Sequence, residues 1–352
     1  MFDPKIAYND LPLLDNNFDQ SKFLSPLIAA NQAIAKLDWL TLILPNYEIL
    51  IHPLLAKESI ASNQIENINT TMVDFLQQEA MWTNKLSWAE KEVEYYRQAI
   101  KYWVEQIELL WWITTKLLIE LQSMIEPNKV WIRKIPWTVI ANSLWQISYT
   151  PPVWEDNIKK LLYDLEKYMN IEDNIDPLVK VAIIHHQFES IHPFYDGNGR
   201  IWRILIILYL ILAKKINKPI LFLSSYIFEN RNKYYQSFRR ENKWFDEIIL
   251  YILDGICLQS QITQSKILNI HDLMTNNTWF IKSTNIKDYA NIANILFSYP
   301  FMTVQSFADH LKVSRQSASD IIKKLETYKL IKTTKLKNSK LIYIPEFINL
   351  LS

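Results

Sequence analysis

HPFYDGNGRIWR, residues 192–203, holds Gly197 and Gly199, two of only three glycines in a chain of 352 residues. A Gly197-Asn198-Gly199 loop running straight into an apolar stretch can turn several backbone N–H groups toward one point. Glycine permits the left-handed angles and the close approach this needs. The start of the following helix carries a partial positive charge, so that point is an anion site. Arg200 and Arg203 are three residues apart, on one side of the helix, and add fork-shaped donors that match phosphate oxygens. Asp196 offers a hard oxygen ligand suited to Mg²⁺ bridging phosphates. His192, just before the loop, is the side chain best able to take a proton near neutral pH. A tight turn before a solvated helix would account for GNGR alone. With the histidine, the aspartate and both arginines at these spacings, the stretch suits transfer of a phosphate-containing group to a hydroxyl.

Composition bounds the rest. The length suits two or three domains. With 49% hydrophobic and 21% charged residues, the chain reads as a soluble globular protein. A net charge of +1 gives no global pull toward nucleic acid or membrane. The single cysteine, Cys257, rules out an internal disulfide framework, fits a reduced cytoplasmic setting, and sits in an apolar segment expected in the core. The N-terminus lacks a basic-then-apolar leader pattern. The longest apolar run, 204–213, is about half of what a membrane helix needs, so it reads as a buried helix and no membrane partner is expected.

Working outward, periodicity and punctuation predict a mainly α protein. Helices are expected over 21–40, 47–67, 89–107, 114–125, 155–169, 177–190, 226–237 and 244–268. Residues 130–153 are rich in β-branched and aromatic residues and close on Pro151-Pro152, which predicts a β-hairpin. The tail reads as helix, turn, helix and two short strands, the pattern of a winged helix-turn-helix, with 314–330 as recognition helix and 331–344 as wing. From 301 to 344 there are nine Lys/Arg against three Asp/Glu, about +6, leaving the remainder near −5. The expected division is a helical region over 1–95, a catalytic domain over 96–268 and the winged helix over 280–352.

The stretch HPFYDGNGRIWR matches, at every defined position, the signature His-Pro-Phe-x-Asp-Gly-Asn-Gly-Arg-x-x-Arg of Fic-domain proteins, which the chain therefore resembles. The resemblance implies a Fic-fold helical core with a β-hairpin flap, and transfer of AMP from ATP to a Tyr, Thr or Ser hydroxyl of a target protein with release of pyrophosphate. It implies that His192 is the general base and that Asp196 holds Mg²⁺. Gly197, Asn198, Gly199 and Arg200 would cradle the phosphates, Arg203 would bind the γ-phosphate, and Phe194 would be a packing anchor. The hairpin at 130–153 looks like the flap that aligns a target segment by strand addition. YYQSFRREN resembles the segment that closes over adenosine, which would place Tyr234, Tyr235 and Asn242 near the nucleotide. Ser62-x-x-x-Glu66-Asn67 matches the family's inhibitory signature, and Glu66 would compete with the γ-phosphate for Arg203 and misalign ATP. In some relatives the same glutamate orients a water for AMP removal, so a de-AMPylating or bifunctional enzyme is the alternative. From another class, the alternative is a DNA-binding regulator whose Fic domain senses nucleotide. Self-modification and a homodimer also follow from the resemblance.

Three features stand outside this reading. His185, His186, Glu189 and His192 have partly helical spacing, but Pro193 interrupts it, and a packed helix explains them better than zinc. The basic tail fits either DNA contact through Arg315, Gln316 and Ser317, or a protein-interaction module. Finally, average usage predicts about 25 glycines, whereas this chain has three, alongside 13 tryptophans. Trp39, Trp137, Trp145, Trp154 and Trp202 fall where turns or the family signature favour a small residue. Either the surface is rich in tryptophan, or UGA codons that mean glycine in the source have been read as tryptophan.

Overall fold

The structure, a computed structural model, describes residues 3–11, 18–44, 46, 48–81, 86–129, 131–134, 138–141, 147–238, 245–337 and 339–351. Helices begin where short polar side chains can accept the orphan N–H groups of a first turn. Thr71, Thr114, Asp176, Thr303 and Ser314 do so from Asp74, Leu117, Leu178, Ser306 and Ser317. The first helices are α1 (Leu24–Leu40), α2 (Glu48–Ile65), α3 (Met72–Ala80), α4 (Trp88–Leu110) and α5 (Thr115–Ile125). A short hairpin, β1 (Ile140–Ala141) and β2 (Ile147–Tyr149), precedes α6 (Glu155–Asn170), α7 (Pro177–Ile191) and α8 (Asn198–Leu212). Then come α9 (Ser224–Glu229), α10 (Arg231–Gln236), α11 (Asp246–Ser283) and α12 (Tyr289–Ser298). The tail holds β3 (Met302–Thr303), α13 (Val304–Leu311), α14 (Arg315–Thr327), β4 (Lys332–Leu336), β5 (Ser339–Tyr343) and α15 (Pro345–Leu351).

The fold is mainly helical, as its periodicity predicts. One helix differs in extent: α11 continues to Ser283 rather than stopping near 268, because no proline occurs between Pro219 and Pro300 to break it. The helix expected over 226–237 is two short helices joined at Asn230. In the hairpin, Ile140 pairs with Tyr149 and Ala141 with Ile147. The parts of the expected flap at 130, 135–137 and 142–146 lie outside the described residues, as does Trp244.

Two compact units interleave along the chain: residues 1–38 with 95–260, and residues 39–94 with 261–352. In the first unit α7 packs on α8 and on α6, and α5 packs on α8 and α6. The apolar run of α8 is buried on every side, as expected for a core helix. Gly255 in α11 meets the Tyr226 ring so closely that a Cβ there would lie 2.8 Å from it, which accounts for the third glycine. Cys257, expected in the core, is only half-buried, because its side of α11 is partly open. In the second unit α2 packs against α3, α12 and α15. An antiparallel sheet ordered β3-β5-β4 lies in the same unit as the α13–α14 pair. Among the described residues no helix is long and apolar enough to cross a membrane.

Candidate active site

Residues 192–203 join the end of α7 to the start of α8. α7 is buried along nearly its whole length and ends at His192, whose backbone turns left-handed at φ 45° and ψ 61°. That turn stops the helix and swings the next residues away, leaving the imidazole partly exposed with Nδ1 3.8 Å from Glu189 Oε2. Phe194 is fully buried and packs on Phe188. Asn198 staples the loop: its Nδ2 donates to Phe194 O at 2.8 Å, and its Oδ1 accepts from Phe194 N at 3.0 Å. The Asn198 side chain thus holds the loop's shape, and its contribution to an anion is left to the backbone N–H. Gly197 caps α8 at φ 82°, where a side chain is strained, and a Cβ would also crowd Glu126 Cγ at 3.3 Å. Gly199 lies in the first turn of α8.

The charged residues arrive with partners that local spacing does not reveal. Arg200 is buried and paired with Glu126, the residue that ends α5, and lies 4.0 Å from Asp196 Oδ1. Asp196 is partly exposed, accepts from Gly197 N at 2.8 Å and is bridged by Lys129. Burial works to raise the Asp196 pKa, but Lys129, the Gly197 N–H and Arg200 together outweigh it and hold the carboxylate below its ordinary value. The hydrogen bond to Asp196 in turn raises the Lys129 pKa. Mg²⁺ is commonly held by one or two carboxylates plus substrate phosphates, and the partly exposed Asp196 carboxylate fits such a donor set. Among the described residues no three His, Cys, Asp or Glu side chains are grouped so as to hold a metal ion.

Arg203 is buried, with its guanidinium carbon 5.7 Å from the Trp202 ring. Trp202 is itself fully buried and stacks on His185, ring centroids 3.5 Å apart. Tyr234 continues this stack, 5.7 Å from His185 and 6.0 Å from Trp202, with its hydroxyl 3.3 Å from His185 Nε2. Burial drives the His185 pKa well below and the Tyr234 pKa well above their ordinary values, so both are neutral. Tyr235 is exposed and meets Tyr234 edge-on. Asn242 lies outside the described residues.

The inhibitory signature lies in the second unit, at the end of α2. Ser62 is buried within the helix and Glu66 follows its last turn. Asn67 has φ 63°, and Ile68 N donates back to Asn63 O at 2.9 Å. That is a left-handed helix cap, which explains physically why the motif requires Gly or Asn after its glutamate.

Sequence reasoning missed Glu126, Lys129 and Arg133. Arg133 donates to the carbonyls of Ile191 and His192, while Ile132 pairs with Phe194 and Arg133 N donates to Pro193 O. The segment leading to the flap is thus stitched onto the loop.

Two buried helices, joined by a loop that sets an imidazole beside a glycine-bearing helix start, define a helical protein built around a glycine-capped turn. Residues 112–210 match the Fic/DOC family and residues 24–105 match its N-terminal region. The chain belongs to the Fic/DOC family. A probable protein adenylyltransferase of Aquifex aeolicus is 27% identical over 150 residues, 40% of this chain and 42% of that protein. Protein adenylyltransferase fic-1 of Caenorhabditis elegans is 34% identical over 93 residues, 26% of this chain and 17% of that protein. The chain thus spans less than half the length of these relatives. A Fic family protein from Desulfovibrio desulfuricans G20 shares the fold with a TM-score of 0.60 at 17% identity, over 94% of this chain and 98% of that one. Fic-1 from Caenorhabditis elegans shares it at 0.54 and 18% identity, over 70% and 73%.

Proposed function

We propose that this protein is a protein adenylyltransferase that moves AMP from ATP to a Tyr, Thr or Ser hydroxyl of a target protein. The observation that carries the reading is His192, held at the left-handed end of α7 directly before the glycine-capped start of α8. His192 takes the proton of the target hydroxyl, whose oxygen then bonds the α-phosphorus as the bond to the β-phosphate breaks and pyrophosphate leaves. Glu189 stabilises the imidazolium so formed. The first N–H groups of α8 have no intrahelical partners and face the phosphates. Arg200 and Arg203 add charge there, and Arg200 must exchange Glu126 for phosphate. Mg²⁺, when bound through Asp196, neutralises phosphate charge, and Lys129 must give way to it. Tyr234 and Tyr235 border the nucleotide, and the flap docks the target segment.

In this reading Glu66 restrains transfer by competing for Arg203, and self-modification follows when it is removed. The test is Glu66→Gly with ATP labelled at the α-phosphate: AMP transfer should rise well above wild type, and an unchanged rate removes the restraint. Activity in the opposite direction, AMP removal, would appear as loss of label from a pre-modified target dependent on Glu66.

A second reading concerns the tail. Arg315, Gln316, Ser317 and Lys323 are exposed on α14, and Lys335 and Lys340 on the β4–β5 hairpin, where Lys340 pairs with Glu326 of α14. We propose that this basic face contacts DNA. Affinity for a duplex should fall steeply with salt and survive His192→Ala. Dimerisation through this unit without DNA affinity would favour the interaction module instead.

A further inference from the structure

Arg133 is 1% exposed and, among the described residues, pairs with no carboxylate. Burial pulls its pKa down to about 10, so it stays charged at neutral pH. The charge is spent on main-chain carbonyls. Nε donates to His192 O at 2.7 Å, and Nη2 donates to Ile191 O at 3.1 Å and to Pro152 O. Tyr149 Oη adds a donation to Ser190 O at 2.8 Å. The last carbonyls of a helix have no intrahelical partner, and a cation there also meets the negative end of the helix dipole. Here three consecutive carbonyls, 190 to 192, are held by side chains from the two ends of the flap. The last of them belongs to the residue in the strained left-handed turn.

We propose that Arg133 is the positioning residue for His192. It locks the turn that aims the imidazole, and through Pro152 it makes that aim depend on the base of the flap. The proposal rests on the adenylyltransferase reading, and its test separates the two. In full-length Glu66→Gly protein, Arg133→Met should lower kcat for AMP transfer by about 10- to 100-fold, the scale expected when a reacting group is misplaced by about 1 Å. KM for ATP should stay within about twofold, because Arg133 touches no residue of the phosphate loop's donor set. Arg133→Lys keeps the charge and one donor and should recover part of kcat. It also serves if Arg133→Met does not fold. In parallel, the imidazole NMR signals of His192 should shift in Arg133→Lys while those of His310, which belongs to the other unit, do not. Unchanged kcat in a folded variant, equal loss of kcat and ATP affinity, or an unmoved His192 signal would each overturn the positioning role. If the Glu66→Gly parent transfers no AMP, the functional reading fails, and the NMR comparison alone decides whether Arg133 positions His192.

A separate observation concerns the tryptophans. Trp111, Trp131 and Trp154 have φ of 54°, 109° and 74°. Asn and Lys visit the left-handed basin near +55° tolerably, as Asn67 and Lys312 do at helix ends here. Trp131 lies beyond that basin, and Trp154, with ψ 127°, lies outside it altogether, where only glycine is unstrained. Their side chains return little packing, being 69% and 63% exposed, and Trp111 sits just past the end of α4 where a glycine cap is usual. We infer that positions 111, 131 and 154 are glycine in the protein as its source cell makes it, with UGA read as glycine. Trp103 differs: it is 3% exposed inside α4, where its backbone makes no demand for glycine. Trp202 is helical and stacked, so its backbone makes no such demand, and Trp137 and Trp145 lie outside the described residues. Peptide mass spectrometry of the chain purified from its source should find glycine at 111, 131 and 154 and tryptophan at 103. Tryptophan at 131 and 154 would overturn the inference.

Discussion

Glu126→Ala isolates one buried interaction at the site. Arg200 is almost wholly buried and Glu126 nearly so, and the two are paired. Removing the carboxylate takes from a buried guanidinium its hydrogen-bonded ion-pair partner, while the partly exposed Asp196 lies 4.0 Å away. Breaking a buried pair from one side costs about 3–5 kcal/mol, because the surviving buried charge loses its ion-pair partner. For a unit of this size that is a fall in Tm of about 6–20 °C. Urea unfolding should show a lower midpoint with an unchanged slope. Adding Arg200→Met removes the stranded charge while keeping its volume, so the double variant should recover most of the loss. In the proposed function ATP supplies phosphate oxygens to Arg200, so saturating nucleotide should recover part of the loss in the single variant but not the double. A loss below about 1 kcal/mol, or a double variant no more stable than the single, would refute the view that this pair holds the loop against α5.

Other substitutions probe the same loop. Gly197→Ala should destabilise the protein by about 1–2 kcal/mol, since it forces a side chain into a left-handed turn and crowds Glu126; calorimetry reads the shift. Lys129→Met should raise the Asp196 pKa toward its ordinary value, as followed by carboxyl carbon NMR. The sign follows from the lowered pKa of Asp196: its folded-state contribution is present above the unfolded carboxylate pKa and lost as pH falls through the folded value. Both side chains are about half exposed, so the effect on stability is small. Asn67→Val should destabilise the end of α2, because a β-branched residue resists φ 63°, whereas Asn67→Gly should be tolerated; thermal unfolding compares the two.

Local chemistry made much of this molecule legible from sequence. Capping residues, prolines and apolar periodicity place most helices, since each signal acts within one or two turns. The motif from His192 to Arg203 is continuous, so its turn and its glycine cap can be read directly, and the family resemblance supplies its buried anchor Phe194. What escaped comes from residues remote in sequence. Glu126 reads as a helix stop, yet it is the partner of Arg200, 74 residues away. Lys129 reads as part of a turn, yet it occupies the carboxylate assigned to Mg²⁺. Arg133 reads as one polar residue in a strand, yet it caps α7. The interleaving of residues 39–94 with 261–352 is likewise set by packing between distant helices, which no composition shift marks. The surplus tryptophans were visible as a count, but only backbone angles distinguish Trp131 and Trp154 from Trp103.

The central claim is that His192 serves transfer of AMP from ATP to a protein hydroxyl. It is tested most directly by incubating Glu66→Gly and Glu66→Gly/His192→Ala proteins with ATP labelled at the α-phosphate and a host lysate. The account predicts label on protein bands, including the chain itself, with the first protein and none with the second. Labelling that persists without His192, or no labelling by either protein, would contradict it.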